Sequence, residues 1–458
     1  MIENDAFKLL LINLFHLNPD DIANIFCTTF NKMMVLIVTL ADKHQACPYC
    51  GFTAPKIKEY VTKEITHSAL TTQKCIIKYR ARRYKCPCCG KTYYEFNPFV
   101  FKSQKISILT VHNILKDLKD FNETFTSVAR RYHVSPTSVS TIFDNHVDIG
   151  RNPLPEIINF DEVYAFKSEK SKYVCVLLDF KKQIPVDVLP NRKKEYLLNY
   201  FQKIPLEERK KVKYACSDMY EVYRDVVHKV FPCSCMLLDY FHLSQDFHRK
   251  MNEVRIKVMK GYKDDKASDE YYLLKKFNWL LFKNPEDEDK YGRLFDVERE
   301  RKYNSHFKSY MNYYDLRRKL LEINNGLTIC YSLKLELVDF YSKSTIDNAQ
   351  VNLEHLIRNC IDTNIEEMIA FSNNLINWKQ EIINSFTIVG TEYKVEADKG
   401  QVVVCNKKVN NAIIENRNKI IKCIKNNANG YTNWSRFRNR VMYVLDPNAT
   451  FSLEPREK

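Results

Sequence analysis

The sequence predicts a multidomain α/β protein: a metal-binding module and a helical module, then an α/β core carrying a long helical insertion. Three observations predict this. Two Cys-x-x-Cys turns lie within the first hundred residues. A polar, helix-patterned stretch covers residues 101–150. From Glu156 onward, short apolar runs ending in acidic residues alternate with helical segments, and after about Leu243 the pattern turns purely helical. A chain of 458 residues with 45% hydrophobic residues is long enough for several cores. Its net charge of +15 suits a polyanionic partner, although many basic proteins bind none. Met1 to Asp20 has no basic n-region or small-residue cleavage site, so the chain reads as cytosolic. In a reducing compartment its 15 cysteines are expected to be metal ligands or buried thiols rather than disulfides.

Residues 1–42 read as a short helix followed by an apolar strand, Met33 to Thr39, and the apolar stretch Met33 to Ala41 is too short to span a bilayer. Cys47-Pro48-Tyr49-Cys50-Gly51 and Cys86-Pro87-Cys88-Cys89-Gly90 are two knuckles. Each is a tight turn that aims two thiolates at one point, and the following glycine permits a positive φ. Together they make a four-cysteine site for one zinc, formed by Cys47, Cys50, Cys86 and Cys89, although Cys88 can replace a neighbour. Strand-like runs between them, Lys74 to Tyr79 and Arg82 to Tyr84, suit a zinc ribbon, with Cys75 packed inside it. The other reading is a set of buried thiols.

Phe125 to Phe143 fits a helix-turn-helix. Val128 and Ala129 pack the first helix and Val134 lies in the turn. Ser135 caps the second helix with Pro136 in its first turn. Val139 and Ile142 then face inward. That leaves Thr137, Ser138 and Thr141 for the major groove, and Arg130 and Arg131 for phosphate. An ordinary helical hairpin has the same pattern.

The core begins with Ile157 to Phe166, a buried strand with Asp161 at its acidic end. Tyr173 to Phe180 and Ile184 to Leu189 read as strands, and Lys194 to Ile204 as a helix. Val212 to Ser217 is a strand ending at Asp218, Glu221 to Phe231 a helix, and Cys235 to Leu238 a strand ending at Asp239. The order β-β-β-α-β-α-β is that of an RNase H fold, in which acids sit at the first and fourth strands. Asp161 and Asp218 occupy those places. Carboxylates on neighbouring strand ends can bridge two Mg²⁺ ions about 3.5–4 Å apart, as phosphodiester transfer requires. Any single aspartate at a strand end also occurs without such a role.

A third acid has to come from elsewhere. On a helix from Val409 to Asn427, Asn411, Glu415, Asn418, Lys419 and Lys422 share a polar face. Ile413, Ile420 and Ile424 lie opposite, with Ile414 and Ile421 to one side and Arg417 as the exception. Packed by its isoleucines, this helix presents Glu415 outward; the same pattern serves a plain amphipathic helix with a solvated face.

These residues together resemble bacterial insertion-sequence transposases of the ISL-three family, over nearly the whole chain from Cys47 to about Val444. Asp161 to Lys167 looks like the family's first-acid motif, and Ser217-Asp218-Met219-Tyr220 like its second. Asp239-Tyr240-Phe241-His242 resembles its D-x-x-H motif, and Asn411 to Glu415 the third-acid segment. Gly430 to Trp434 with Phe437 to Arg440 resembles the tail motif. The resemblance implies an Asp-Asp-Glu transposase with Asp161, Asp218 and Glu415 as catalytic Mg²⁺ ligands and residues 245–385 as a helical insertion. It also implies DNA partners, both terminal inverted repeats and target DNA, bound by a homodimer on paired ends in the bacterial nucleoid. The sequence departs from the family pattern at Asn416, where glycine is usual, and at Tyr240, where arginine is usual. Thr387 to Val404 is a longer strand-like stretch than usual. Asp239 and His242 are candidates for active-site support, and His242 serves equally well as a structural residue at a helix start.

The expected domains are 1–100 with the zinc ribbon, 101–150 with the helix-turn-helix, 151–244 as the first part of the core, 245–385 as the insertion, and 386–458 with the third-acid helix and tail. Two other functions share these features: a DNA-binding regulator that has lost its chemistry, and a structure-selective nuclease. Three intact acids and the paired DNA-binding modules favour transposition.

Overall fold

The computed structural model describes residues 2–456 except 44, 69, 71, 102, 103, 167–170 and 396–401. Lys167 of the first-acid motif and part of the 387–404 stretch therefore fall outside the described residues.

Helix α1 (Ile2–Leu14) precedes a five-stranded sheet of β1 (Ile22–Phe30), β2 (Met33–Leu40), β3 (Lys56–Thr66), β4 (Cys75–Lys85) and β5 (Thr92–Tyr94). Its order is β1-β2-β4-β3, with β5 paired to the far end of β4. The single strand expected before the cysteines is instead a hairpin, because Asn31 and Lys32 take positive φ and turn the chain. The two short runs expected between the knuckles are one continuous strand, β4, and the sequence gives no sign of β3 beside it. β3 is mostly exposed and charged, so it lacks the apolar alternation that marks a strand. Leu11 and Ile12 of α1, with Phe15 just after it, pack on Ile22, Ile25, Leu36, Val38 and Ile77, and Cys75 is buried in that core as expected.

Three helices follow: α2 (Ile108–Asp117), α3 (Phe125–Arg131) and α4 (Pro136–His146). Ser107, Thr124 and Ser135 cap them, each side chain accepting from a backbone N–H three residues on. Val128, Ala129, Val139, Ile142 and Phe143 form their shared core.

The second large sheet contains β6 (Ile157–Val163), β7 (Val174–Asp179), β8 (Pro185–Leu189), β9 (Tyr214–Ser217) and β10 (Cys235–Leu238), in the order β10-β9-β6-β7-β8. β6, β9 and β10 are mutually parallel, while β7 runs antiparallel to β6 and β8. β6 is buried on both faces. Its even positions, Ile158 and Phe160, pack against α5 (Lys194–Gln202) and α7 (Glu221–Val230). Short helix α6 (Leu206–Arg209) links α5 to β9. From β10 the chain enters α8 (Tyr240–Lys260) and α9 (Asp269–Lys276). Two small hairpins follow: β11 (Glu288–Asp289) with β12 (Gly292–Arg293), and β13 (Lys302–Asn304) with β14 (Ser309–Met311). The stretch expected to be purely helical is therefore broken by strands, where Gly292 at positive φ turns the first hairpin. Helices α10 (Tyr313–Glu322), α11 (Asn325–Lys343), α12 (Ala349–Asp362), α13 (Glu366–Asn377) and α14 (Lys379–Asn384) then share one core with α8.

Hairpin β15 (Ile388–Val395) and β16 (Val402–Lys408) returns the chain to the second sheet. There α15 (Ala412–Asn427) and α16 (Trp434–Leu445) cover the face opposite α5 and α7. Ile414, Ile421, Ile424, Phe437, Val441 and Leu445 pack on Val163, Val174, Val176, Leu178 and Val188. Among the described residues, no helix is long and apolar enough to cross a membrane.

Candidate catalytic site

Strand register gathers the acids. Asn159 pairs with Cys216, so Asp161 and Asp218 stand at one level, two residues beyond that pair. Leu238 pairs with Ser217, which places Asp239 beside Asp218 at the same level. Three aspartates thus line the carboxyl edge of three adjacent parallel strands. Asp161 is not at the end of its strand, as the sequence suggested. β6 continues to Val163 because its pairing with β7 outlasts its pairing with β9. As an odd position, Asp161 faces α15, whereas Glu162 faces α7, where Tyr223 donates to it at 3.2 Å and Arg192 forms an ion pair with it.

Asp161 is 9% exposed and Asp218 half-buried. Burial raises the Asp161 carboxyl to about 7, with the charges of Asp218 and Glu162 adding to the effect. Burial and then Glu162 raise Asp218 to about 6. Such a pair of carboxyls favours a cation between or beside them, since a bound positive charge offsets both desolvation and mutual repulsion.

The helix carrying Glu415 begins at Ala412, three residues later than expected, and its orientation differs from the expected one. Asn411 is fully buried and Asn418 is 6% exposed, while Lys419 and Lys422 are exposed. The predicted polar face therefore divides: its amides and Glu415 turn toward the sheet, and its lysines turn to solvent. The amides are buried because β6 offers them partners. Asn159 Nδ2 donates to Asn411 Oδ1 at 2.7 Å, Asn411 Nδ2 donates to the Phe160 carbonyl at 3.3 Å, and Asn418 Nδ2 donates to Asp161 Oδ2 at 2.7 Å. The Asn411 backbone N–H donates to Asp239 Oδ1 at 3.1 Å. The sequence does not single out these amides as part of the site, although Asn411 and Asn418 lie seven residues apart on either side of Glu415. Helical spacing marks them as polar, and polarity alone does not distinguish a solvated amide from a buried one.

The side-chain donors of Asp239, His242 and Glu415 lie within 4.8 Å of one another and can hold a metal ion. Asp161 and Asp218 are not in that group, so Glu415 meets the Asp239–His242 pair more closely than the sequence leads one to expect. His242 Nδ1 lies 2.9 Å from Asp239 Oδ2. Burial works against the charged imidazole, but the Asp239 hydrogen bond and the surrounding carboxylates outweigh it and raise its pKa.

A family model described as a transposase, of the ISL3 group, matches residues 158–397, more than half of the chain. The chain belongs to this transposase family. A transposase for insertion sequence element IS1001 from Bordetella parapertussis is 20% identical over 410 residues, covering 89% of this chain and 90% of that protein. The family match includes Asp161, Asp218, Asp239 and His242 and ends before Glu415.

Outside the acidic edge, the chain carries a four-cysteine cluster, in which Cys47, Cys50, Cys86 and Cys89 lie within 4.8 Å of one another. Cys47 Sγ is 3.7 Å from Cys89 Sγ, and Cys50 Sγ is 3.5 Å from Cys86 Sγ. A tetrahedron of Zn–S bonds of about 2.3 Å has S···S edges of about 3.8 Å, so the spacing fits zinc. Both knuckles have the same backbone: Gly51 and Gly90 each take φ +74°, and their N–H groups donate to the Cys47 and Cys86 carbonyls. Cys88 is exposed and outside the group.

In the α2–α4 unit, Thr137 and Thr141 are exposed on α4. Ser138 is half-buried, with its hydroxyl 2.8 Å from that of the cap, Ser135. Arg130 is exposed. Arg131, expected to reach phosphate, is instead ion-paired with both Asp117 of α2 and Glu123. It braces the unit internally because two carboxylates flank it at short range.

Proposed function

We propose that the chain is an active DNA transposase. In this reading Asp161, Asp218 and Glu415 are the catalytic cation ligands, supported by Asp239 and His242, and the second sheet is an RNase H-like core. The observation that carries the reading is the common level of Asp161, Asp218 and Asp239 on adjacent parallel strands, with the Glu415 helix pinned to that same edge. The order β10-β9-β6-β7-β8, with only β7 reversed among the four strands from β10 to β7, supports the RNase H-like assignment.

Bound Mg²⁺ would supply charge to the attacking and leaving oxygens of phosphodiester transfer. The protein's own part is to hold its carboxylates rigidly. Asp161 receives the Glu162 N–H at 2.8 Å and the Asn418 amide, and Asp239 receives the N–H at the start of the Glu415 helix. His242 is oriented through Nδ1 by Asp239, beside Glu415.

In the same reading the knuckles form a zinc ribbon and α3–α4 a helix-turn-helix, with Thr137 and Thr141 reading bases and Arg130 contacting phosphate. DNA ends and target DNA are the substrates. The test is cleavage of a duplex bearing the element's ends by Glu415→Gln and Asp161→Asn. Both should lose strand cleavage by several orders of magnitude and keep end binding. Normal cleavage by Glu415→Gln would move the third ligand elsewhere.

A further inference from the structure

Helix α15 is expected to contribute one acid to the site. Its contacts indicate a second contribution. Asn418 lies one turn beyond Glu415 on the same helix face, and its side chain is almost wholly enclosed. Its Nδ2 donates to Asp161 Oδ2 at 2.7 Å. Its Oδ1 is buried and accepts from no side chain or backbone group among the described residues. A buried amide oxygen without a donor is costly, on the order of 1–3 kcal/mol. A leucine, similar in branched shape though larger, would avoid that cost. What the amide supplies and leucine does not is a donor aimed at a carboxylate that cannot donate in return.

The setting narrows the role further. Asp161 Oδ1 is held by the adjoining Glu162 N–H at 2.8 Å, so each carboxylate oxygen has one donor, one from β6 and one from α15. The carboxylate plane is thereby fixed. Seven residues back, the Asn411 N–H fixes Asp239 in the same way, and Glu415 lies between the two contacts.

We propose that Asn418 is a positioning residue: its amide fixes the Asp161 carboxylate from the helix face that delivers Glu415, so that α15 sets the relative geometry of two acids. This rests on the catalytic reading above. In general, residues that hydrogen-bond a metal ligand tune cation affinity by roughly 10–100-fold.

The test is Mn²⁺ binding to the full chain, followed by paramagnetic resonance of the free ion, for wild type, Asn418→Leu and Asp161→Asn. Thermal unfolding of each variant is measured in parallel. Asn418→Leu is expected to unfold at or above the wild-type midpoint and to weaken Mn²⁺ binding about tenfold or more. The half-saturating Mn²⁺ for cleavage should rise by a similar factor, and Asn418→Gln, which retains the donor, should recover part of the loss. If the leucine variant does not fold, Asn418→Ser carries the same measurement with less steric demand and the same expected loss. Wild-type Mn²⁺ affinity in Asn418→Leu, with affinity lost in Asp161→Asn, would overturn the positioning role and leave the catalytic reading standing. Wild-type affinity in Asp161→Asn would instead remove the catalytic reading on which the role rests.

Discussion

Lys334 on α11 is 2% exposed in the core of the segment between β10 and β15, and its Nζ donates at 2.5 Å to the Lys283 carbonyl. Burial lowers its pKa to about 8 from 10.5. Below pH 8 the native state therefore holds a buried ammonium that the unfolded chain hydrates. Between pH 8 and 10.5 the unfolded chain binds the proton and the native state releases it, so stability should rise with pH across that window. Lys334→Met should accordingly stabilise the protein at pH 7 by up to about 3 kcal/mol, with the gain shrinking as pH rises from 8 to 10.5. Thermal unfolding of both proteins from pH 7 to 10.5 checks this. A methionine variant that is less stable at pH 7 would show that the carbonyl contact outweighs the desolvation. At the same scale, Asp161 and Asn418 show how a residue identified from its surroundings in sequence can differ from its surroundings in space. The acid was legible because an apolar run led into it. The amide was not, because only the opposing strand makes it a buried donor.

Among the elements, legibility followed burial. Strands β6, β7, β8, β9 and β10 are enclosed and read as apolar runs, the first four one to three residues longer than they are and β10 located to the residue. β3 and the small hairpins carry few buried side chains, so nothing in their composition set them apart from loops or helices. The cysteine knuckles were legible because their chemistry is local. Each turn closes on itself through the same pair of hydrogen bonds, and only their meeting required the intervening sheet. Around them the core is small, with Tyr84 and Tyr93 as its main apolar members. Metal should therefore supply much of the local stability. Cys50→Ser is expected to lower zinc content from about one equivalent to well below it, and to leave residues 45–95 more open to protease while the second sheet stays protected. Full zinc content in that variant would point to Cys88 as a replacement ligand.

Across the whole molecule, α16 ties the α2–α4 unit to the second sheet. Arg436 forms a paired contact with Asp144 of α4, with N···O distances of 2.9 and 2.6 Å. Arg440, 1% exposed, donates to the Asp120 and Glu123 carbonyls, and Tyr443 donates to the Leu115 carbonyl. On the opposite side Arg438 donates to Asp187 of β8 at 2.7 Å. The tail motif noted in the sequence thus serves as a clamp between two units, a role that no local pattern revealed because its partners lie about 250–330 residues away. Arg440→Ala strands two buried carbonyls and should cost about 2–4 kcal/mol. If α4 reads DNA and the acidic edge cuts it, Arg436→Ala should bind ends with little loss of affinity while cutting at scattered positions. Sequencing the cleaved ends checks this, and a single unchanged cut site would mean that the clamp does not set the distance. Binding itself should weaken steeply with salt, log K falling by roughly 0.9 per phosphate contacted for each tenfold increase, as measured by titration at several salt concentrations.

The clamp also has a consequence in time. A chain emerging from the ribosome completes its cysteine module, its three small helices and four of its five central strands within the first half of synthesis, at about 5–20 residues per second. Those parts are made while residues 411–446 are still unmade. Until those residues arrive, the aspartate edge lacks its helical cover, and the α2–α4 unit lacks its contacts with α16. If the α2–α4 unit binds DNA and the acidic edge cuts it, as proposed, the order of synthesis separates finding a site from acting on it, and a chain interrupted before Asn411 should occupy DNA without altering it.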